Sequence, residues 1–443
     1  MLFTVALQIL IDFNDNISTM RMNEKKKLLN IALLATMLFA AGSTDAPARP
    51  KSGKGGEVYH AVVAKDGSGD YTTIQAAVDA APEGRTEPWR IFIRQGNYEE
   101  HVDIPKNKPY LSLVGEGRGL TQISCDRLCG GPNGMKVQEG ATVTANSTDL
   151  YFEGIDFINS YGHKKKAGPQ ALALFTQNDR VVLNRCGLLS YQDTWLTAFF
   201  KPNLRHYAVR CFIEGAVDFI YGQGNVYFDR DTISIVRDKG GYIVAPNHHP
   251  DTQWGYVFHC NVITAPGNPA DTWVYLGRPW HAQPKVAFLH TRAEVKLPET
   301  GWHNHMGGLP ALFAEHNTTD ADGQPIDLSK RCSRYWIHNE QKDTVWTTAK
   351  AVITADEAAL YTIDNVLRGD DNWQPAAIAT PCAAPKAVVK GRRLVWEPVA
   401  EAVGYAVFIN GRLAHFTKEC RTPYKSKYNY TIRSVSRYGA LSE

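Results

Sequence analysis

With 443 residues, the chain exceeds one small domain and can bury a large core. Apolar residues make up 44% and charged residues 21%, which excludes a disordered chain. The net formal charge of +3 gives no bulk reason for a nucleic-acid partner, and none is expected.

In chain order, residues 1–21 carry no recognisable logic and are set aside as a spurious or unstructured N-terminal extension. Met22 opens a basic stretch, Met-Asn-Glu-Lys-Lys-Lys, followed by the apolar run Leu28 to Ala41 and small residues at Ala40 to Ser43. That pattern over 22–45 reads as a secretory signal, too short for a comfortable membrane span. The expectation is an exported protein, periplasmic or extracellular, with a polar linker over 46–56.

Val62-Val63-Ala64 and Arg90 to Ile93 predict strands, and Gly96-Asn97-Tyr98 predicts a turn. Thr73 to Ala81 predicts a helix, with apolar residues at 74, 77, 78 and 81. Beyond Tyr110 short strands dominate. Leu150–Phe157, Val181–Leu188, Tyr207–Ile213, Val226–Ile233 and Tyr256–Ile263 share one apolar rhythm. With Gly154, Cys186, Cys211, Asp231 and Cys260 taken as equivalent, the intervals are 32, 25, 20 and 29. An irregular repeat of that length predicts an all-β chain coiled as a parallel β-helix over 57–375. A short helix is expected at Thr354 to Leu360 and an Ala/Pro-rich linker over 376–385. Clean alternation around an Asn410-Gly411 turn marks a small β-domain over 386–443, which resembles a fibronectin type III module.

Two acidic motifs stand out, Tyr191-Gln192-Asp193-Thr194 and Asp218-Phe219-Ile220-Tyr221-Gly222. Asp193 and Asp218 lie 25 residues apart, a spacing that suits one solenoid coil. On neighbouring rungs the two carboxyls would face each other and separate in pKa; otherwise they are ordinary turn or capping residues. Cys186 and Cys211 share that spacing and predict stacked neighbours, bridged or buried as thiols; Cys125 and Cys129 could close a loop. His248-His249 and the cluster from His303 to His305 read as surface or cleft lining rather than metal ligands. Lys164-Lys165-Lys166 reads as a solvated loop, or as an attractor for an anionic polymer.

The stretch Val63 to Val78 resembles the opening of the pectin methylesterases. Five short motifs of that family follow in order: Gly96 to Glu100, Gln170 to Leu174, Tyr191 to Thr194, Asp218 to Gly222, and Leu276-Gly277-Arg278-Pro279-Trp280. The resemblance spans about 60–370 and implies a right-handed parallel β-helix that hydrolyses methyl esters of galacturonate in pectin. By resemblance, Asp218 is the nucleophile, Asp193 the general acid and then base, Gln170 and Gln192 the oxyanion donors, and Arg278 the partner of Asp218. Trp280 and Tyr221, with Gln170 and Arg278, would meet the sugars. The partner implied is methyl-esterified homogalacturonan, bound by a monomer without cofactor or metal. Trp195-Leu196 and Gly301-Trp302-His303-Asn304-His305 depart from the family pattern, the last with His305 where Trp is usual. A β-helical lyase and a catalytically silent carbohydrate-binding solenoid are the rival readings, as is an esterase for another uronate or acetyl ester.

Overall fold

The computed structural model describes residues 57–199 and 201–443; the expected signal segment, the first linker and residues 1–21 lie outside them. Three parallel sheets run side by side along one axis. An eleven-stranded sheet extends from Ala61–Val63 to Lys350–Val352, an eight-stranded sheet from Gly96–Glu99 to Arg292–Ala293, and a seven-stranded sheet from Val102–Ile104 to Trp273–Gly277. Most coils add one strand to each, which gives the parallel β-helix expected. Helix Ile74–Ala80 starts at Thr73, whose side chain accepts from the Ala76 N–H, and buries Ile74, Ala77 and Val78 in the same core.

Two sequence readings are corrected. Gly96–Glu99 is a strand rather than a turn: it pairs in parallel with Thr121–Ser124 and buries Tyr98. The repeat alignment is off by one residue at its three middle positions, Cys186, Cys211 and Asp231. The strand register makes Gly154, Arg185, Arg210, Arg230, Cys260, His290 and Asn317 the true column. All seven have φ between 53° and 63°. One left-handed residue per coil turns the chain between sheets, and arginine there carries no sequence signature of a turn.

Inward side chains stack from rung to rung. The Phe228, Phe258 and Phe288 rings lie 4.2 Å apart and within 5° of parallel, an arrangement set by the rung spacing. Cys186 and Cys211 are stacked neighbours as expected, both buried free thiols; Cys125 and Cys129 are also free. His248 is fully buried, accepts the Lys285 N–H at 3.0 Å and sits edge-on to Tyr256, and burial lowers its pKa to about 3.

After Val352 the chain leaves the coil in short helices, Ala355–Ala358, Ile363–Leu367 and Pro375–Ala379. The first carries a capping box from Thr354 and Glu357. Leu367, Trp373 and Ala379 bury against Val182, Tyr207 and Tyr227 on the outside of the eleven-stranded sheet. The stretch read as a linker from 376 therefore begins as a packed helix.

Two three-stranded antiparallel sheets complete the chain. One joins Val388–Lys390, Arg393–Val395 and Arg421–Pro423; the other joins Arg412–Thr417, Gly404–Ile409 and Tyr430–Val435. Asn410 and Gly411, at φ 51° and 76°, make the tight turn that the sequence announces. This sandwich-like region packs on the solenoid, with Phe416 4.7 Å from Tyr59 and 5.1 Å from Phe92, ring to ring.

Glu153 lies beneath that junction, bonded to the Tyr151 hydroxyl at 2.5 Å, and burial raises its pKa to about 7. Its folded pKa exceeds its unfolded one, so between about pH 4.5 and 7 the native state keeps a proton that the unfolded chain releases. Stability contributed by this group falls as pH rises through that window. Thermal unfolding at pH 5 and pH 7 should show a smaller loss for Glu153→Gln than for wild type. An equal loss would remove Glu153 from the linkage.

Candidate active site

The two acidic motifs occupy neighbouring rungs of the seven-stranded sheet. Gln192 bridges Val217 in parallel and the Asp193 N–H donates to the Val217 carbonyl at 3.1 Å, so Asp193 and Asp218 are register equivalents. Both have positive φ, 62° and 50°, and the strand that carries Asp218 is irregular between Val217 and Ile220. Asp tolerates this region better than most residues. Two such residues side by side are strained backbone of the kind that gathers at working sites.

Their surroundings differ. Arg278, one residue beyond strand Trp273–Gly277, clasps Asp218 in a fork: Nε donates to Oδ1 at 2.9 Å and Nη2 donates to Oδ2. The guanidinium carbon lies 4.1 Å from the centre of the Tyr242 ring. Burial raises the Asp218 pKa and Arg278 opposes it; the net direction is still upward, so the arginine offsets desolvation without overcoming it. Asp193 is half-buried but ringed by protein. Burial raises its pKa well above the ordinary range, the Asp218 charge adds to that, and Tyr221 and Arg278 oppose it. The pair is therefore split, with Asp193 the stronger holder of its proton.

Tyr221 is placed differently from its expected sugar-facing role. It is 5% exposed, and its hydroxyl lies near enough to Asp193 to lower that carboxyl's pKa. Burial keeps the phenol protonated, so it is a potential donor beside the carboxyl. Its ring meets Trp280 edge-on at 5.6 Å, and Trp280 stays partly exposed. Tyr221→Phe keeps that packing and removes the donor. We expect kcat to fall about tenfold and the limb of the pH profile set by Asp193 to move to higher pH. An unshifted profile would reduce Tyr221 to packing.

Gln192 precedes Asp193 on its rung, and Gln170 lies one rung away beside Ala171, whose N–H donates to the Gln192 carbonyl. Two glycines that the sequence reading passed over make room for these amides. A Cβ at Gly130 would fall 1.8 Å from Gln170 Oε1, and one at Gly168 would fall 2.6 Å from Gln192 Oε1.

The departures from the family pattern resolve into packing. Trp195 is fully buried with its indole N–H on Thr176 Oγ1 at 3.1 Å, and Leu196 packs beneath Tyr221. Trp302 stacks on Phe313 in the core. The lysine run lies on helix Ser160–Lys165 and its cap rather than a loop: Lys166 pairs with Glu214 at 2.7 Å, and Lys165 rests on the Tyr161 ring. Among the described residues no group of three or more His, Cys, Asp or Glu is arranged to hold a metal, and no helix is long and apolar enough to cross a membrane.

A split carboxyl pair with an arginine fork on one member, on the face of a parallel β-helix, is an arrangement suited to nucleophilic and acid–base chemistry. Comparison with known proteins supplies the family. The pectinesterase family model matches residues 60–370. A probable pectinesterase 56 of Arabidopsis thaliana is 34% identical over 54% of this chain and 83% of its own length. A pectinesterase of Petunia integrifolia is 28% identical over 76% and 87%. Among solved structures, the pectin methylesterase from carrot superposes with a TM-score of 0.59 at 28% identity, covering 72% of this chain and 96% of its own. The enzyme from Aspergillus niger gives 0.55 at 26%, covering 70% and 93%. The chain belongs to the pectinesterase family: it is a carboxylic ester hydrolase on a right-handed parallel β-helix.

Proposed function

We propose that the chain hydrolyses methyl esters of galacturonate in homogalacturonan through an acyl-enzyme on Asp218. The observation that carries this reading is the asymmetry of two register-equivalent carboxyls, Asp218 held by Arg278 and Asp193 half-buried beside it without a cationic partner in contact among the described residues. Ionised Asp218 attacks the ester carbonyl carbon, and the oxyanion that forms is met by the Gln170 and Gln192 amides, worth roughly 3 kcal/mol per well-placed donor. The C–O bond to the methoxy group breaks as Asp193 gives it a proton, which leaves methanol and an anhydride on Asp218. Asp193, now a carboxylate, takes a proton from water; the hydroxide attacks the galacturonyl carbon and frees Asp218. Trp280 offers its exposed ring to the sugar.

The same reading has the mature protein exported by the 22–45 signal and working as a monomer. The region from 386 is a fibronectin type III-like packing module, a role favoured by the aromatic contacts that tie it to the coil. Methyl-esterified oligogalacturonide should yield methanol and free carboxylate with no unsaturated ends. Unsaturated ends without methanol would transfer the chain to the lyases.

A further inference from the structure

The seven-stranded sheet continues past Trp273–Gly277 through isolated bridges. Gly277 pairs in parallel with Trp302, and His305 pairs in parallel with Trp336. The His303 N–H donates to the Gly277 carbonyl at 3.0 Å, and the Trp336 N–H donates to the Asn304 carbonyl at 3.2 Å. In this register His303 follows Arg278, and Arg334 follows His303. At about 4.8 Å per rung, Arg334 stands about 10 Å along the axis from Arg278.

Arg334 and Trp336 belong to an antiparallel hairpin, Arg334–His338 with Thr344–Thr348, in which Trp336 faces Trp346. Alternation sorts its side chains. Tyr335 is buried in the core, while Arg334, Trp336, His338 and Trp346 share the other face. Trp346 is 50% exposed, and the Arg334 guanidinium lies 4.8 Å from its ring. Trp336 is 6.1 Å from Trp346 and stacks on His305 at 3.6 Å and 7°. His305 Nδ1 donates to the Trp336 carbonyl at 2.9 Å, which fixes the ring and leaves Nε2 for a ligand. The approach from the carboxyl pair is aromatic throughout. Tyr242, beneath Arg278, stacks with Tyr275 at 5.7 Å, and His303 sits edge-on to both.

This hairpin presents to water an exposed indole at Trp346, a partly exposed one at Trp336, and an exposed guanidinium beside the Trp346 ring. That combination suits one chemistry. A uronate residue has an apolar C–H face for an indole and a carboxylate for an arginine fork, whereas its methyl ester brings no charge. We propose that the outward face of this hairpin is a distal subsite for an unesterified galacturonate residue of the same pectin chain whose ester is being cleaved. The occupant follows from continuity with the reacting site along one sheet, and the inference rests on the function proposed above. The subsite favours chains that already carry free carboxylates.

The test compares wild type with Arg334→Ala, Arg334→Lys and Trp346→Ala; both positions are exposed, and equal unfolding temperatures establish that each variant folds. Binding of unesterified hexagalacturonide, which is not turned over, is followed by calorimetry. Methanol release is followed on fully and on partly methyl-esterified pectin. We expect Kd for the hexamer to rise fivefold or more in Arg334→Ala and Trp346→Ala, and to be partly restored in Arg334→Lys. The ratio of kcat/KM on partly esterified to fully esterified pectin should fall at least fivefold in Arg334→Ala, through KM. Trp346→Ala should lower both values together. Methanol release by wild type with Kd and the ratio within twofold in Arg334→Ala overturns the subsite alone. Failure of wild type to release methanol overturns the function on which it rests.

Discussion

Asp218→Ala should release methanol from methyl-esterified pectin at least about 10,000-fold more slowly than wild type, because no other group in the site can take over as nucleophile. Asp193 is ruled out by its own environment: burial and the neighbouring charge keep it protonated where a nucleophile must be ionised. The substitution also leaves Arg278 without the carboxylate that it clasps. A free guanidinium there would bind carboxylates, so the variant should hold unesterified oligogalacturonide at least as tightly as wild type while losing turnover. Methanol release and binding, measured side by side, separate lost chemistry from lost recognition. Retention of more than about 1% of wild-type kcat would remove Asp218 from the covalent step.

Asp193→Asn should cost about 1,000-fold in kcat, toward the upper end for general acid catalysis, because methoxide is a poor leaving group and needs the proton. Asn keeps the volume and can still accept from Tyr221, but it has no proton to give. A trifluoroethyl ester, whose alkoxide leaves unaided, should recover a large part of the lost acylation rate. The pH profile gives a second readout. Rate should fall with decreasing pH as Asp218 takes up a proton, at a pH above the usual carboxylate value because its pKa is raised. It should fall with increasing pH as Asp193 loses its proton, at a higher pH again. Asp193→Asn should abolish the high-pH limb and keep the low-pH limb. Persistence of both limbs would assign the upper one elsewhere.

The coil and its paired carboxyls were legible because the chemistry is spaced by the fold. The 25 residues between Asp193 and Asp218 are one turn of the solenoid, and the stacked thiols Cys186 and Cys211 repeat that interval. The repeat alignment slipped at Cys186, Cys211 and Asp231 because a left-handed turn residue is normally announced by Gly or Asn, and there the column passes through arginines. Tyr221 was misplaced for a related reason. Its motif marks an aromatic near the site, but only the fold decides whether ring or hydroxyl is presented, and the rung geometry brings the hydroxyl near Asp193. Gly130 and Gly168 leave no sequence trace of the amides they accommodate, since the contacts cross coils. The hairpin Arg334–Thr348 alternates well enough to be read as strands, but its attachment to the end of the catalytic sheet rests on single bridges that no local pattern encodes.

The most direct measurement of the central claim is interception of the acyl-enzyme. Wild type turning over methyl-esterified oligogalacturonide in hydroxylamine, digested and read by peptide mass, should carry a hydroxamate at Asp218, formed when hydroxylamine attacks the aspartyl carbonyl of the anhydride. Unesterified oligomer should leave the peptide unmodified. Steady methanol release with Asp218 unmodified and no galacturonyl hydroxamate among the products would contradict an acyl-enzyme on this residue.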